Sequence, residues 1–141
     1  MSDSVWRRLE RHFSKHPILV AEPVDLTEIT AAERRLRSRF DPDYVEFVRR
    51  FGGAMVGSLP ILGLRCAEVM GTNTVVDATE HFRTERWPGT DAWYVVSVDL
   101  AGNPIGIDGE GRVWLSDHDA GEIVERANSF ADFVSSLLPA S

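Results

Sequence analysis

Residues 41–53 read DPDYVEFVRRFGG and describe one complete helix, with its start, its buried face and its end. Asp41 is a favourable N-cap, and Pro42 suits the first helical position, where its missing N–H group would have had no partner. Apolar residues then recur every three or four positions, as expected for one face of a helix: Tyr44, Phe47, Val48 and Phe51. Two glycines follow and are expected to end the helix through a left-handed residue.

Two more helices are predicted upstream of this segment. The stretch Val5–Phe13 places Trp6, Leu9 and Phe13 at helical spacing, and charged residues occupy its other face. Pro17 interrupts that pattern. A second helix is expected to start near Thr27, with one apolar stripe formed by Ile29, Ala32 and Leu36.

The downstream half predicts an antiparallel meander that ends in a helix. The middle of the chain, residues 54–89, indicates one strand at Leu59–Leu64 and one helical turn near Thr79–Phe82. Short β-branched or aromatic runs separated by turn residues follow, and each predicts a strand: Trp93–Val98, Pro104–Ile107, Arg112–Ser116 and Glu122–Arg126. Ser129 is expected to cap a last helix that carries Phe130, Phe133, Val134 and Leu137.

Alternation along these strands predicts which face of the sheet is covered. Ile105 and Ile107 match Val113 and Leu115 as one apolar set, which the helices should cover. Trp114 points the other way, among polar neighbours. It is either an anchor for a partner or is covered by the long middle segment.

Charge is distributed unevenly along the 141 residues, whose net charge is -7. Residues 1–65 hold eleven Lys or Arg against nine Asp or Glu, whereas residues 66–141 hold four against thirteen. An acidic half repels phosphate backbones, so direct nucleic-acid binding is disfavoured. The same charge would speed association with a basic protein, or it serves only to keep the domain soluble.

Length and composition predict a single domain over residues 1–141, with 43% hydrophobic and 26% charged residues. The N-terminus lacks the apolar core of a signal peptide, and no apolar run approaches the ~20 residues of a spanning helix. We therefore expect a cytoplasmic protein without membrane contact. Its one cysteine, Cys66, is expected to be a buried structural thiol.

Catalytic and metal sites have weak support in the sequence, and no cofactor is expected. Residues 108–112 begin like a calcium loop, but Arg112 and Val113 stand where a ligand and the turn glycine are needed. His12 and His16 have the spacing of a ligand pair but no third ligand nearby. Neither a nucleophile elbow nor a phosphate-binding loop is present in the sequence. A small enzyme would require catalytic residues that are distant in the sequence and are brought together only by the fold.

The order of these features resembles the SUKH superfamily over nearly the whole chain. The first match is Thr27 to Glu33 followed by residues 40–44 (FDPDY), Phe47 and Gly52-Gly53. The second is residues 101–108 (AGNPIGID) with Val113-Trp114 and then Asp117-His118-Asp119. The closing Phe-rich helix is the third. Phe51 and Asp41 depart from the family pattern, which usually carries Asn and an apolar residue there.

This resemblance implies an α+β domain whose central antiparallel sheet, of about four to six strands, is packed on one face by N-terminal and C-terminal helices. It also implies action by protein binding without known catalysis. Many bacterial members are immunity proteins that neutralise polymorphic toxins, often nucleases, and eukaryotic relatives include regulators of cell-wall assembly. The expected function is neutralisation of a basic toxin domain. The alternative is a regulatory or scaffolding domain that binds an endogenous protein, and the oligomeric state stays open.

The candidate partner-binding residues lie in the C-terminal half: Asp91, Asp99, Asp108, Glu110, Arg112, Trp114, Asp117, Asp119 and Glu122. Some have a competing structural interpretation. Asp108 and Asp117 are suited to hold hairpin turns through local backbone hydrogen bonds. His118 is expected to be structural, satisfied by backbone groups.

Overall fold

A computed structural model describes residues 1–139, and within them the chain forms five α-helices and six β-strands. Short 3₁₀ turns at Pro17–Leu19 and Glu68–Met70 accompany them. In chain order the elements are α1 (Asp3–Lys15), α2 (Leu26–Leu36), α3 (Pro42–Phe51), β1 (Ala54–Val56), β2 (Leu59–Ile61), α4 (Val75–Thr84), β3 (Tyr94–Val98), β4 (Pro104–Ile107), β5 (Val113–Asp117), β6 (Glu122–Ala127) and α5 (Phe130–Leu137).

The central sheet is the antiparallel meander β3-β4-β5-β6, and β1 and β2 form a separate hairpin. Ile105 pairs with Leu115 and Ile107 with Val113, so the predicted apolar set does share one face. Tyr94 pairs with Ile107 on that face and packs against Tyr44 of α3. The predicted α+β architecture, with helices against one face of an antiparallel sheet, is confirmed.

Side-chain caps mark the start of α2, α3, α4 and α5. In α3 the Asp41 carboxylate accepts hydrogen bonds from the backbone N–H groups of Asp43 (3.0 Å) and Tyr44 (3.3 Å), as the sequence predicted. Ser129 caps α5 in the predicted way. Helix α2 begins at Leu26, next to the start predicted near Thr27, and Asp25 provides its cap.

The middle of the chain is more regular than the sequence indicated. Instead of one strand at Leu59–Leu64 there is a hairpin of two three-residue strands, and instead of one helical turn there is the ten-residue helix α4. Thr74 caps α4 by accepting a hydrogen bond from the N–H group of Asp77 (3.1 Å). Thr79 in α4 accepts another from the N–H group of Val95 (2.8 Å), so this helix covers the outer edge of β3.

The end of α3 is a point of close backbone approach. Gly52 has φ 74°, and a Cβ atom there would lie 1.8 Å from the carbonyl oxygen of Glu22. Its own carbonyl accepts hydrogen bonds from the N–H groups of Leu64 (2.9 Å) and Arg65 (3.0 Å). Only glycine combines this conformation with this contact, so the two-glycine end of the helix also joins α3 to the segment after β2.

An aromatic cluster around Tyr44 forms the centre of the core. The Tyr44 ring is fully buried, with ring centroids 5.3 Å from Phe40, 5.4 Å from Tyr94 and 5.5 Å from Phe130. Its hydroxyl donates a 2.6 Å hydrogen bond to the carbonyl of Leu62. Burial raises the pKa of Tyr44 well above its ordinary value, so the hydroxyl stays a donor.

Replacing Phe47 with Ala should lower the free energy of unfolding by about 3–5 kcal/mol, because a fully buried ring would be lost and a cavity left. Ile18 is 55% exposed, and Ile18→Ala provides the control, with an expected change within about 0.5 kcal/mol. Urea unfolding followed by circular dichroism measures both. Equal stability of the two variants would contradict the assigned packing of α3.

Tyr44→Phe keeps the ring but leaves the Leu62 carbonyl without its partner in the core. We expect unfolding to become easier by about 1–3 kcal/mol, the usual cost of a buried unsatisfied polar group. The same urea titration measures this. A variant as stable as the wild type would show that the hydrogen bond contributes nothing to the join between α3 and the end of β2.

Candidate partner-binding surface

Each of the three hairpin loops of the central sheet opens with an aspartate that organises it. Asp99, after β3, accepts hydrogen bonds from the N–H groups of Ala101 (3.0 Å) and Asn103 (2.8 Å). Asp117, the last residue of β5, accepts from those of Asp119 (3.0 Å) and Ala120 (3.3 Å). These carboxylates hold the backbone of their loops, which is the turn role that the sequence had offered for Asp117.

Asp108 plays the same role between β4 and β5 and also holds an aromatic side chain. One carboxylate oxygen accepts from the N–H groups of Glu110 (2.8 Å) and Arg112 (3.0 Å), and the other from Nε1 of Trp114 (2.8 Å). Partial burial opposes ionisation, but these hydrogen bonds outweigh it and lower the pKa of Asp108 below its ordinary value. The contacts of Asp108 therefore agree with its interpretation as a turn residue.

The meander separates the candidate residues into two groups at opposite ends of the sheet. The first group, here called the acidic end, consists of Asp99, Asp117, Asp119 and Glu122. The second group, here called the mixed end, consists of Asp91, Asp108, Glu110 and Arg112, and its cleft is also lined by Arg37 and Arg39. Strand β5 separates the two ends by five residues, about 17 Å.

The acidic end is tied together by His118. Its Nδ1 lies 2.6 Å from Oδ1 of Asn103, whose amide nitrogen donates to the Asp99 carboxylate at 3.2 Å. The other ring nitrogen lies 3.2 Å from the Asp119 carboxylate. His118 therefore has a structural role as expected, but its ring partner is a side-chain amide of the neighbouring loop and not a backbone group. The contact fixes the β3-β4 and β5-β6 loops against each other.

Trp114 lies half-buried on the face of the sheet away from α3 and α5. Its ring stacks on Trp93 with centroids 6.4 Å apart and planes at 9°. The Trp93 ring fits there because Gly106 has no side chain, since a Cβ atom at that position would lie 2.8 Å from the Trp93 Cβ. Trp93 is therefore the side chain that partly covers Trp114, and it follows the middle segment instead of belonging to it.

Strand β6 is exposed along its length, a feature that the sequence interpretation missed. Within residues 1–139 it pairs with β5 alone, so its other edge is open, whereas the edge of β3 is covered by α4. Ile123 is 44% and Val124 42% exposed. The pattern of residues 122–125, two apolar residues between two glutamates, breaks strict alternation and was the available signal for a strand with solvent on both faces.

Unlike the loop aspartates, the charged side chains on this edge do not hold turns of residues 1–139 through hydrogen bonds to backbone N–H groups. Glu122, Glu125 and Arg126 are exposed, as is Asp119 beside them. From Asp117 to Ala127 four acidic side chains face one basic one. The open edge and the acidic end therefore form a continuous negatively charged surface, here called the β6 surface.

Residues 1–139 contain no group of three or more His, Cys, Asp or Glu side chains placed to hold a metal ion. No helix in this part of the chain is long and apolar enough to cross a bilayer.

Residues 23–136, most of the chain, match the model of the SMI1 / KNR4 family (SUKH-1). The protein belongs to this family. The match covers α2 through most of α5 and therefore both ends of the SUKH sheet, while α1 precedes it. A search of curated proteins finds no match to the chain. Family membership is consistent with immunity or regulatory roles that operate by protein binding.

Asp108→Asn should destabilise this SUKH domain by about 1–2 kcal/mol at pH 7, because an amide nitrogen cannot accept the Trp114 N–H and the charged acceptor is lost. The pKa of Asp108 is lowered by folding, so its stabilisation is present above the unfolded-state value of about 3.9 and is lost as pH falls through the folded-state pKa. The gap to wild type should therefore close in acid. Urea titrations at several pH values, with exposed Glu110→Gln as the control, measure it. A gap independent of pH would contradict this assignment.

Proposed function

We propose that this SUKH protein is an immunity protein that neutralises a toxin domain by binding it through the β6 surface. The observation that carries the proposal is the open edge of β6, a strand with five exposed residues that begins at the acidic end. An exposed strand edge offers a row of backbone N–H and C=O groups that an extended segment of another protein can pair with.

Charge favours a basic partner over a second copy of the chain. Two copies joined edge to edge would bring Glu122 and Glu125 of both chains close together, and like charges across a strand pair are destabilising. A basic segment would instead meet complementary charge. Nucleases bind polyphosphate and carry basic clefts, so a nuclease toxin is the partner class that this surface fits.

Apolar contacts would slow the dissociation of the complex, which charge alone does not do. Ile123 and Val124 are nearly half exposed on opposite faces of β6, and each would be covered when a strand is added at the edge. Exposed charge pairs mainly accelerate association, whereas buried apolar side chains slow dissociation. The same short strand offers both kinds of contact.

The loop aspartates and the mixed end have other roles in this proposal. Asp99 and Asp117 keep the loops in shape, and Asp108 does so at the far end, so their replacement would test folding and not binding. Asp91, Glu110 and Arg112 lie at the mixed end. There the arginines offset the negative charge of the two acidic side chains. The binding contribution is assigned to Asp119, Glu122, Glu125, Ile123 and Val124.

Co-expression with the product of the adjacent upstream gene, scored by cell survival and co-purification, tests this proposal. The wild type should protect the cells and co-purify. Glu122→Lys with Glu125→Lys should abolish protection and lower the association rate at least about tenfold, because the attraction is reversed. The matched control is Asp91→Lys with Glu110→Lys, which makes the same change of charge at the mixed end and should still protect.

Three outcomes would contradict parts of this proposal. Loss of protection in the control pair alone would move the binding site to the mixed end. Equal protection by both pairs would exclude a role for charge on β6. A wild type that neither protects nor co-purifies would contradict neutralisation and favour the regulatory alternative, which a pull-down from the native cell would then examine.

A further inference from the structure

A basic cleft lies between α1 and the chain that follows α5, away from the β6 surface. Its volume is about 180 Å³, and Leu138 and Pro139 form its apolar wall. All its other lining residues carry basic side chains: Arg8, Arg11, His12, Lys15 and His16. In a protein whose net charge is -7, this is a local concentration of the opposite sign.

These side chains form a continuous stripe because of their spacing. Residues 8, 11, 12 and 15 are three or four positions apart, which places them on one face of α1. The opposite face is buried through Val5, Trp6, Leu9 and Phe13. Like charges at this spacing repel each other, so the stripe opposes helix stability when nothing neutralises it.

No acidic side chain within residues 1–139 forms an ion pair with the five cleft residues. Some arginines elsewhere form ion pairs, Arg35 with Glu80, Arg50 with Glu46 and Arg65 with Glu28, whereas exposed arginines such as Arg7 and Arg34 form none within residues 1–139. The nearby Glu10 bonds to Arg50 instead. Arg8 donates to the Ser135 hydroxyl at 3.0 Å, which holds its guanidinium beside α5 without neutralising it.

His12 adds an independent observation. Its Nε2 atom is buried and has no hydrogen-bond partner among the described residues, although the ring lines the cleft. The His16 ring lies 5.3 Å away. Burial and the neighbouring His16 lower the pKa of His12. Buried polar atoms are normally hydrogen-bonded, so this nitrogen is an exception, and a ligand in the cleft would reach it only after a turn of the side chain.

The helix dipole explains only part of the stripe. Basic residues are favourable in the last turn of a helix, which accounts for His12 and Lys15. It does not account for Arg8 and Arg11, which lie earlier, or for the cleft that the five side chains share. A ligand of negative charge accounts for all of them.

We propose that this cleft binds a small phosphate-bearing molecule, with the phosphate held by Arg8, Arg11 and Lys15 and with the rings of His12 and His16 beside it. Guanidinium groups match phosphate oxygens in pairs, and Lys adds a point charge. The volume suits one phosphate group with a small substituent. Nucleic acid and anionic membranes are disfavoured partners, because the rest of the chain would repel them.

The proposed site is independent of the proposed immunity function. All five basic residues precede residue 23, where the match to the SUKH family begins. None of them belongs to the β6 surface. Loss of toxin protection and loss of phosphate binding would therefore arise from different variants, and either can fail without the other.

Isothermal titration of the full chain with pyrophosphate tests the site directly. The wild type should bind in a saturable 1:1 manner, and Arg11→Gln with Lys15→Gln should weaken binding at least about tenfold, since two charge-assisted contacts are lost. Both side chains are exposed, so the variant should fold normally. Arg7→Gln with Arg34→Gln, which removes the same charge from exposed positions outside the cleft, is the matched control and should bind like the wild type.

The ring of His12 provides a second readout. A bound phosphate favours the charged form of the imidazole and should raise the pKa of His12, which NMR of the ring protons measures. The other ionisable groups lining the cleft are Arg8, Arg11, Lys15 and His16, and the two lining residues after α5, Leu138 and Pro139, are uncharged.

Several results would overturn the proposal. Absence of saturable binding would do so, as would an equal loss of affinity in the control pair, which would show general attraction only. Binding to a short single-stranded DNA or to phosphatidylserine vesicles, lost in the cleft variant while pyrophosphate fails to bind, would assign the cleft to one of those partners instead.

Discussion

The buried contacts of Tyr44 are the constraint on which the rest of this structure depends. Its ring meets aromatic side chains from β3, from α5 and from the segment before α3, and its hydroxyl holds the chain after β2. One side chain thus fixes where the helices, the hairpin and the sheet meet. Because this packing fills one face of the sheet, a partner can reach the sheet only at its loops, its outer face and its free edge.

Those remaining surfaces differ in what they can offer. The outer face is partly covered, since Trp93 stacks on Trp114. The loops are held by their own aspartates, and the edge of β3 is covered by α4. Two charged surfaces remain accessible. One is β6 with its glutamates, which is negatively charged, and the other is the cleft along α1, which is positively charged. A small domain can therefore carry two surfaces of opposite sign without either being neutralised by the other.

Elements with strong local signals were predictable, and those without them were not. Caps and spacing located α3 and α5, and turn residues between β-branched runs located the meander. Helix α4 was predicted as a single turn because its buried face includes Ala78 and Thr79, which do not stand out as apolar, and because Thr79 owes its burial to the hydrogen bond with β3. The β1-β2 hairpin was missed because strands of three residues are too short to show alternation.

The sequence by itself determined the family, the order of the elements outside residues 54–89 and the acidic character of the C-terminal half, because these follow from residue type and short-range spacing. Only the tertiary structure decided which carboxylates are available. Antiparallel pairing sends successive loops to opposite ends of the sheet, which divides the acidic candidates, and loop geometry commits Asp99, Asp108 and Asp117 to backbone N–H groups. The exposure of β6 and the grouping of basic residues in one cleft also depend on which residues pack nearby. Composition does not show which residues distant in the chain become neighbours in the fold.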